Sequence, residues 1–165
     1  MSREFAFYKK ATIRQRLQNH TLDSCKFLDC NFENCTFEEG LLIGCKFINC
    51  RFDQCTIISL KSKYSEIKNA VFHKCNLVGI HWHTLLPSGK YSYAVNALEN
   101  CNLTECNFKN CRLESTQFFK CNLQKAGFRN AKGYVIDIHN NQMKAARFSF
   151  PDVIRLLETL NIKIE

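Results

Sequence analysis

Proline and glycine are scarce. The 165-residue chain holds two Pro and six Gly, which excludes a collagen-like, linker-like or low-complexity polypeptide. No apolar run approaches the roughly 18 residues that a membrane-spanning helix requires. The N-terminal Met1-Ser2-Arg3-Glu4-Phe5 has no apolar stretch ahead of a small-residue cleavage site, so no secretory signal is expected. The expected compartment is the cytoplasm, where thiols stay reduced. No nucleophile motif, glycine-rich phosphate loop or paired-carboxylate arrangement stands out. A non-enzymatic protein without a cofactor is therefore expected.

Two residue types are in excess, with 11 Cys and 14 Phe. An odd number of cysteines does not suit a secreted disulfide framework. Their spacing is regular. Cys25, Cys30, Cys35, Cys45, Cys50, Cys55 and Cys75 fall on multiples of five, and Cys101, Cys106, Cys111 and Cys121 keep the same step displaced by one. Two residues after each stands a large apolar side chain, as in Phe27, Phe32, Phe52, Leu103, Phe108 and Leu123. Alanine takes the small position at Ala70-x-Phe72, Ala126-x-Phe128 and Ala146-x-Phe148.

A period of five suits neither an α-helix nor an alternating strand. It suits a chain that turns a corner after every unit, with the small and large residues inward. The remaining positions are mostly polar, and Asn and Asp favour turns because their side chains bond local amides. Each unit buries its large residue only by stacking on neighbours, which describes a solenoid.

Cys-Lys-Phe-Leu-Asp, Cys-Asn-Phe-Glu-Asn, Cys-Asn-Leu-Thr-Glu and Cys-Asn-Leu-Gln-Lys resemble units of the pentapeptide repeat family. The resemblance implies an all-β fold, a right-handed quadrilateral β-helix with four units per coil. At about 4.8 Å per stacked strand, some six coils would give a rod on the order of 30 Å. The expected organisation is one domain: an N-terminal segment 1–14, a repeat coil 15–148 interrupted at about 81–97, and a C-terminal module 149–165.

The pattern breaks in three places. Ser62 is a poor inward residue, and a distorted strand with a displaced Tyr64 is expected there. The second break runs from Ile80-His81-Trp82-His83 through Pro87, Gly89 and Lys90-Tyr91-Ser92-Tyr93. Excursions from a strict scaffold tend to collect binding residues, which makes His81, Trp82, His83, Lys90, Tyr91 and Tyr93 candidates for a partner contact. The competing reading places Trp82 in the large inward position of the coil. A Gly-Ile-x-Trp stretch in bacterial members of the family supports the latter. In the third break Gly133 takes an inward position.

Ser149-Phe150-Pro151-Asp152 opens a short C-terminal α-helix, with Pro and Asp suited to its first turn. Val153, Ile154, Leu156, Leu157 and Leu160 form an amphipathic stripe, and Ile162-Lys163-Ile164 alternates like a final strand. The segment from Lys144 to Glu165 resembles the C-terminal module of the family, including its quinolone-resistance group, which implies a cap that pairs two subunits. Val153, Ile154, Leu157, Leu160, Ile162 and Ile164 are the dimerisation candidates.

Metal ligation by cysteine is unattractive. Cys45, Cys50 and Cys55, or Cys101, Cys106 and Cys111, are spread along a ladder among Phe rings, whereas zinc needs four ligands at one point. Cysteine is also a small, readily buried hydrophobe. His81 and His83 lack a third ligand nearby.

The formal charge is +8. Residues 1–20 carry five basic residues against Glu4, and residues 101–130 carry five against Glu105 and Glu114. The resemblance implies a protein partner, a bacterial type II topoisomerase such as DNA gyrase or topoisomerase IV, which some members bind by imitating duplex DNA. An imitation of DNA needs rows of negative charge. The only acidic concentration here is Asp23, Asp29, Glu33, Glu38, Glu39 and Asp53. An interaction scaffold is the leading reading, and a basic nucleic-acid-associated protein is the alternative.

Overall fold

The computed structural model describes residues 2–4 (backbone only), 6–86, 96–114, 116–160 and 162. Strands of two to four residues stack in parallel into four sheets, which form the four faces of a β-solenoid. One face carries Ser2–Glu4, Thr21–Asp23, Leu41–Ile43 and Lys61–Lys63. The next carries Phe7–Lys9, Lys26–Leu28, Lys46–Ile48 and Glu66–Lys68. The third stacks six strands, from Thr12–Ile13 through Asn31–Glu33, Arg51–Asp53, Val71–His73 and Asn96–Glu99 to Thr116–Phe119. The fourth holds Arg16–Gln18, Thr36–Glu38, Thr56–Ile58 and Asn76–Val78.

Registry follows from the five-residue unit. Four units make a coil, so Phe27 pairs with Phe47 and Phe32 with Phe52, each twenty residues on. Across the excursion Val71 pairs with Ala97, twenty-six residues on. The insertion therefore adds one unit and one residue, which is the frame displacement seen in the cysteines. Coiling begins before residue 15, because Ser2–Glu4, Phe7–Lys9 and Thr12–Ile13 already pair with the next coil.

The inward residues form continuous stacks. Phe32, Phe52 and Phe72 lie 4.6 Å apart with nearly parallel rings. Trp82, Phe108, Phe128 and Phe148 make a second stack at 5.6, 4.8 and 5.0 Å. Each such burial contributes about 1.5–3 kcal/mol. The residue before the small position adopts a left-handed conformation at corner after corner, as at Asn34 (φ 52°), Asn49 (φ 54°), Asn69 (φ 53°) and Asn100 (φ 53°). Asn tolerates this region better than most residues. That explains its frequency there.

Three expectations need correction. The strand at Ser62 is regular, paired Ser62 to Leu42; the Ser62 hydroxyl bonds Thr84, while Tyr64 stands outward at a corner, 91% exposed. Gly133 is not the inward residue. Tyr134 is fully buried in its place, and Gly133 sits at φ 69° against Glu114, whose side chain would lie 2.2 Å from any Cβ. The C-terminal helix spans Asp152–Leu160 as expected but winds as a 3-10 helix, not an α-helix. Three residues per turn align Val153, Leu156 and Thr159, all half-buried, and Leu156 packs on the core. Lys132 ties Asp152 to the coil at 2.7 Å.

Candidate interaction surfaces

The cysteines are all buried and unbridged. Many donate to backbone carbonyls at two levels: Cys45 Sγ to Ile43 O of its own coil (3.5 Å) and Leu22 O of the coil below (3.3 Å), and Cys55 Sγ to Asp53 O and Phe32 O (both 3.4 Å). Burial pushes the Cys45, Cys50 and Cys106 thiols up to about 11 and Cys111 up to about 12. A thiol held neutral is a poor nucleophile and a poor metal ligand. Among the described residues no group of three or more His, Cys, Asp or Glu is placed to hold a metal ion.

The excursion splits its candidates. Trp82 is turned inward, 2% exposed, stacked on Phe108 at 5.6 Å and edge-on to Phe72 at 5.4 Å. Its side chain is unavailable to a partner, so the contact role read from sequence yields to packing. The exposed His81 and His83 stand together with ring centroids 5.7 Å apart. Partial burial, then the neighbouring His81 and Lys109, lower the pKa of His83, so that ring tends to be neutral where a lone imidazole would begin to charge. Lys90, Tyr91 and Tyr93 lie outside the described residues.

At the C-terminal end Val153, Leu157 and Leu160 are half-buried and Ile154 is 36% exposed. Ile162 is exposed, and Ile164 lies outside the described residues. The acidic concentration is largely occupied. Glu33 pairs with Arg14, Asp29 accepts from Asn49 at 3.0 Å, and Asp53 meets His73 at 2.9 Å. The His73 hydrogen bond, with smaller help from the His73 and Arg51 charges, holds the Asp53 carboxyl below its ordinary pKa.

Sequence reasoning missed a hollow of about 440 Å³ over Gly127. The signal was present: Gly127 stands between Ala126 and Phe128, at a position that carries a side chain in most other units.

With this geometry established, residues 98–132 match the family model for pentapeptide repeats, in eight copies. The chain carries pentapeptide repeats. No curated protein matches the chain. Among solved structures, full-length QnrB1, a plasmid-mediated fluoroquinolone resistance protein, is 14% identical, covers 98% of this chain and 100% of its own, and gives a TM-score of 0.39. A trypsin-treated QnrB1 is 17% identical, with full coverage of both chains and a TM-score of 0.43. The pentapeptide repeat protein Rfr23 from the cyanobacterium Cyanothece 51142 is 11% identical, covers 90% of this chain and 84% of that one, and gives 0.32. These identities bear on fold alone.

Proposed function

We propose that this protein is a non-enzymatic scaffold acting in the cytoplasm, which holds a macromolecular partner against the side-chain columns of its faces. The observation that carries the reading is the division of labour within the repeat. The thiols are buried and unbridged, burial holds those of Cys45, Cys50, Cys106 and Cys111 neutral, and outward side chains stack one coil above another on the faces. A type II topoisomerase is the partner that the resemblance to the pentapeptide repeat family implies. The pairing of Glu33 and Asp53 with basic side chains argues against contact by imitation of DNA over the whole surface. The excursion from His81 to Tyr93 is the proposed contact element.

Titration of the purified protein against immobilised DNA gyrase and topoisomerase IV tests this. Saturable binding that falls in Lys90→Ala and Tyr91→Ala, at an unchanged melting temperature, is expected. No binding to either enzyme removes topoisomerases as the partner. The second part of the proposal is a homodimer through the C-terminal module, since Ile154 and Ile162 remain exposed beside the half-buried Leu157 and Leu160, and a two-fold axis would cover such a surface twice with one sequence. Sedimentation at tens of micromolar should give a dimer for the intact chain and a monomer for Leu157→Asp. A monomeric intact chain leaves the helix as a cap only.

A further inference from the structure

The hollow over Gly127 differs chemically from the rest of the faces. Isolated bridges link Asn107 to Gly127 and Gly127 to Arg147, so the three residues stand one above another on one face. A missing side chain in the middle of that column leaves the hollow, with Arg147 on one side of it and Asn107 on the other. Lys109, from the coil of Asn107, and Lys125 and Arg129, from the coil of Gly127, also line it. Four cations therefore surround one depression.

Only one of them is neutralised. Lys125 pairs with Glu105 at 3.0 Å. Among the described residues Lys109, Arg129 and Arg147 have no ion-pair partner. The Asn107 side chain is fixed at the rim by accepting the Lys109 amide at 2.9 Å. Three uncompensated charges around a concave surface concentrate field in a way that the same charges on a convex surface do not. Guanidinium groups also match the oxygens of phosphate.

We infer that the hollow over Gly127 is an anion site that takes a phosphate group. The site does not depend on the topoisomerase reading and uses none of its residues. The phosphate belongs either to a small phosphorylated compound or to a nucleic-acid backbone, and both meet the same cations. The volume of about 440 Å³ leaves room for more than one phosphate.

Gly127 makes the inference testable without altering charge. A Cβ there would meet only Asn107 Oδ1, at 3.8 Å, and the backbone is not in the left-handed region. Gly127→Leu therefore fills the hollow while keeping every cation. The intact protein is titrated calorimetrically with inorganic pyrophosphate and, separately, with a short DNA duplex at fixed salt. Wild type is expected to bind with one saturable site per chain. Arg129→Ala/Arg147→Ala should weaken binding about tenfold or more, and Gly127→Leu should weaken it comparably. If both probes lose affinity in Gly127→Leu, the phosphate is that of a nucleic acid. If only pyrophosphate does, it is that of a small compound. If Gly127→Leu binds as wild type while the double variant weakens, the cations act as a diffuse surface charge and the site is refuted. Should Gly127→Leu fail to fold, amide shifts of wild type under pyrophosphate decide. Changes centred on Gly127, Asn107 and Lys109 support the site, and changes spread evenly over basic residues refute it.

Discussion

The coils below the excursion and those above it solve one problem in two ways. Wherever the chain turns a corner, the amide of the inward small residue is buried and needs an acceptor. In the lower coils the next coil provides it. Cys45 N–H donates to Ser65 Oγ at 3.0 Å, Gln15 N–H to Cys35 Sγ at 3.5 Å, and Ala70 N–H to Asn96 Oδ1 at 2.9 Å. In the upper coils most corners close on themselves. Cys106 N–H donates to Leu103 O, Cys111 to Phe108 O, Ala126 to Leu123 O and Ala131 to Phe128 O, at 3.1–3.2 Å. The comparison accounts for the drift in composition. Where the turn closes locally, the residue one coil up need not accept, and alanine serves at Ala126, Ala131 and Ala146. Where it does not, Cys, Ser or Asn usually recurs. The lower arrangement also recurs at one upper corner, where Cys121 N–H donates to Asn141 Oδ1 at 2.9 Å.

The largest expected effect would blur that contrast, because it involves thiols of both regions. Cys45 and Cys50 below and Cys106 and Cys111 above all have raised pKa values. A raised pKa means that the folded state holds protons which the unfolded state releases, so stability is intact below the ordinary thiol value of 9.0 and falls as pH climbs through 9 toward 11. Chemical denaturation at pH 8, 9, 10 and 10.5 should show a steady loss, with thiols labelled slowly at pH 8 and together on unfolding. A flat profile would mean that the thiols ionise in place.

The aromatic stacks should also ignore the contrast. Phe52 lies between Phe32 and Phe72 at 4.6 Å, and Phe128 between Phe108 and Phe148 at 4.8 and 5.0 Å. Phe52→Ala and Phe128→Ala should each cost about 3–5 kcal/mol, read by urea denaturation. A gap of several kcal/mol between them would show that the two regions differ in packing as well as in corners.

The inward stacks were legible in the sequence because burial repeats at a fixed interval. Cys25, Phe27 and their successors announce both the coil and its register, and the displacement by one at Cys101 announces the insertion. The two corner types were not legible, since both keep five residues per unit and differ only in where one amide points. Gly133 was misplaced by one residue because a local slip moves Tyr134 into the core while the cysteine spacing gives no warning. The hollow over Gly127 was hidden for another reason: Ala126-x-Phe128 satisfies the inward pattern, and that pattern says nothing about a missing outward side chain.

The smallest effect discriminates best. Cys101 and Cys111 are both buried, at 2% and 3% exposure, so a transfer argument assigns Cys→Ala the same modest cost at each. The corners assign different costs. Cys101 lies over Cys75, and its thiol donates to two buried carbonyls, Phe72 O at 3.4 Å and Glu99 O at 3.3 Å. Cys101→Ala removes both of these thiol hydrogen bonds and should cost about 1–3 kcal/mol, with Cys101→Ser restoring part of it. Cys111 answers to a corner that closes through Phe108 O, and its own thiol lies a loose 3.9 Å from Lys109 O. Cys111→Ala therefore loses only a small buried group, at a cost of about 1 kcal/mol or less. Equal costs at the two positions would show that sulfur serves as filler in both regions and that the corner amides are satisfied by other means.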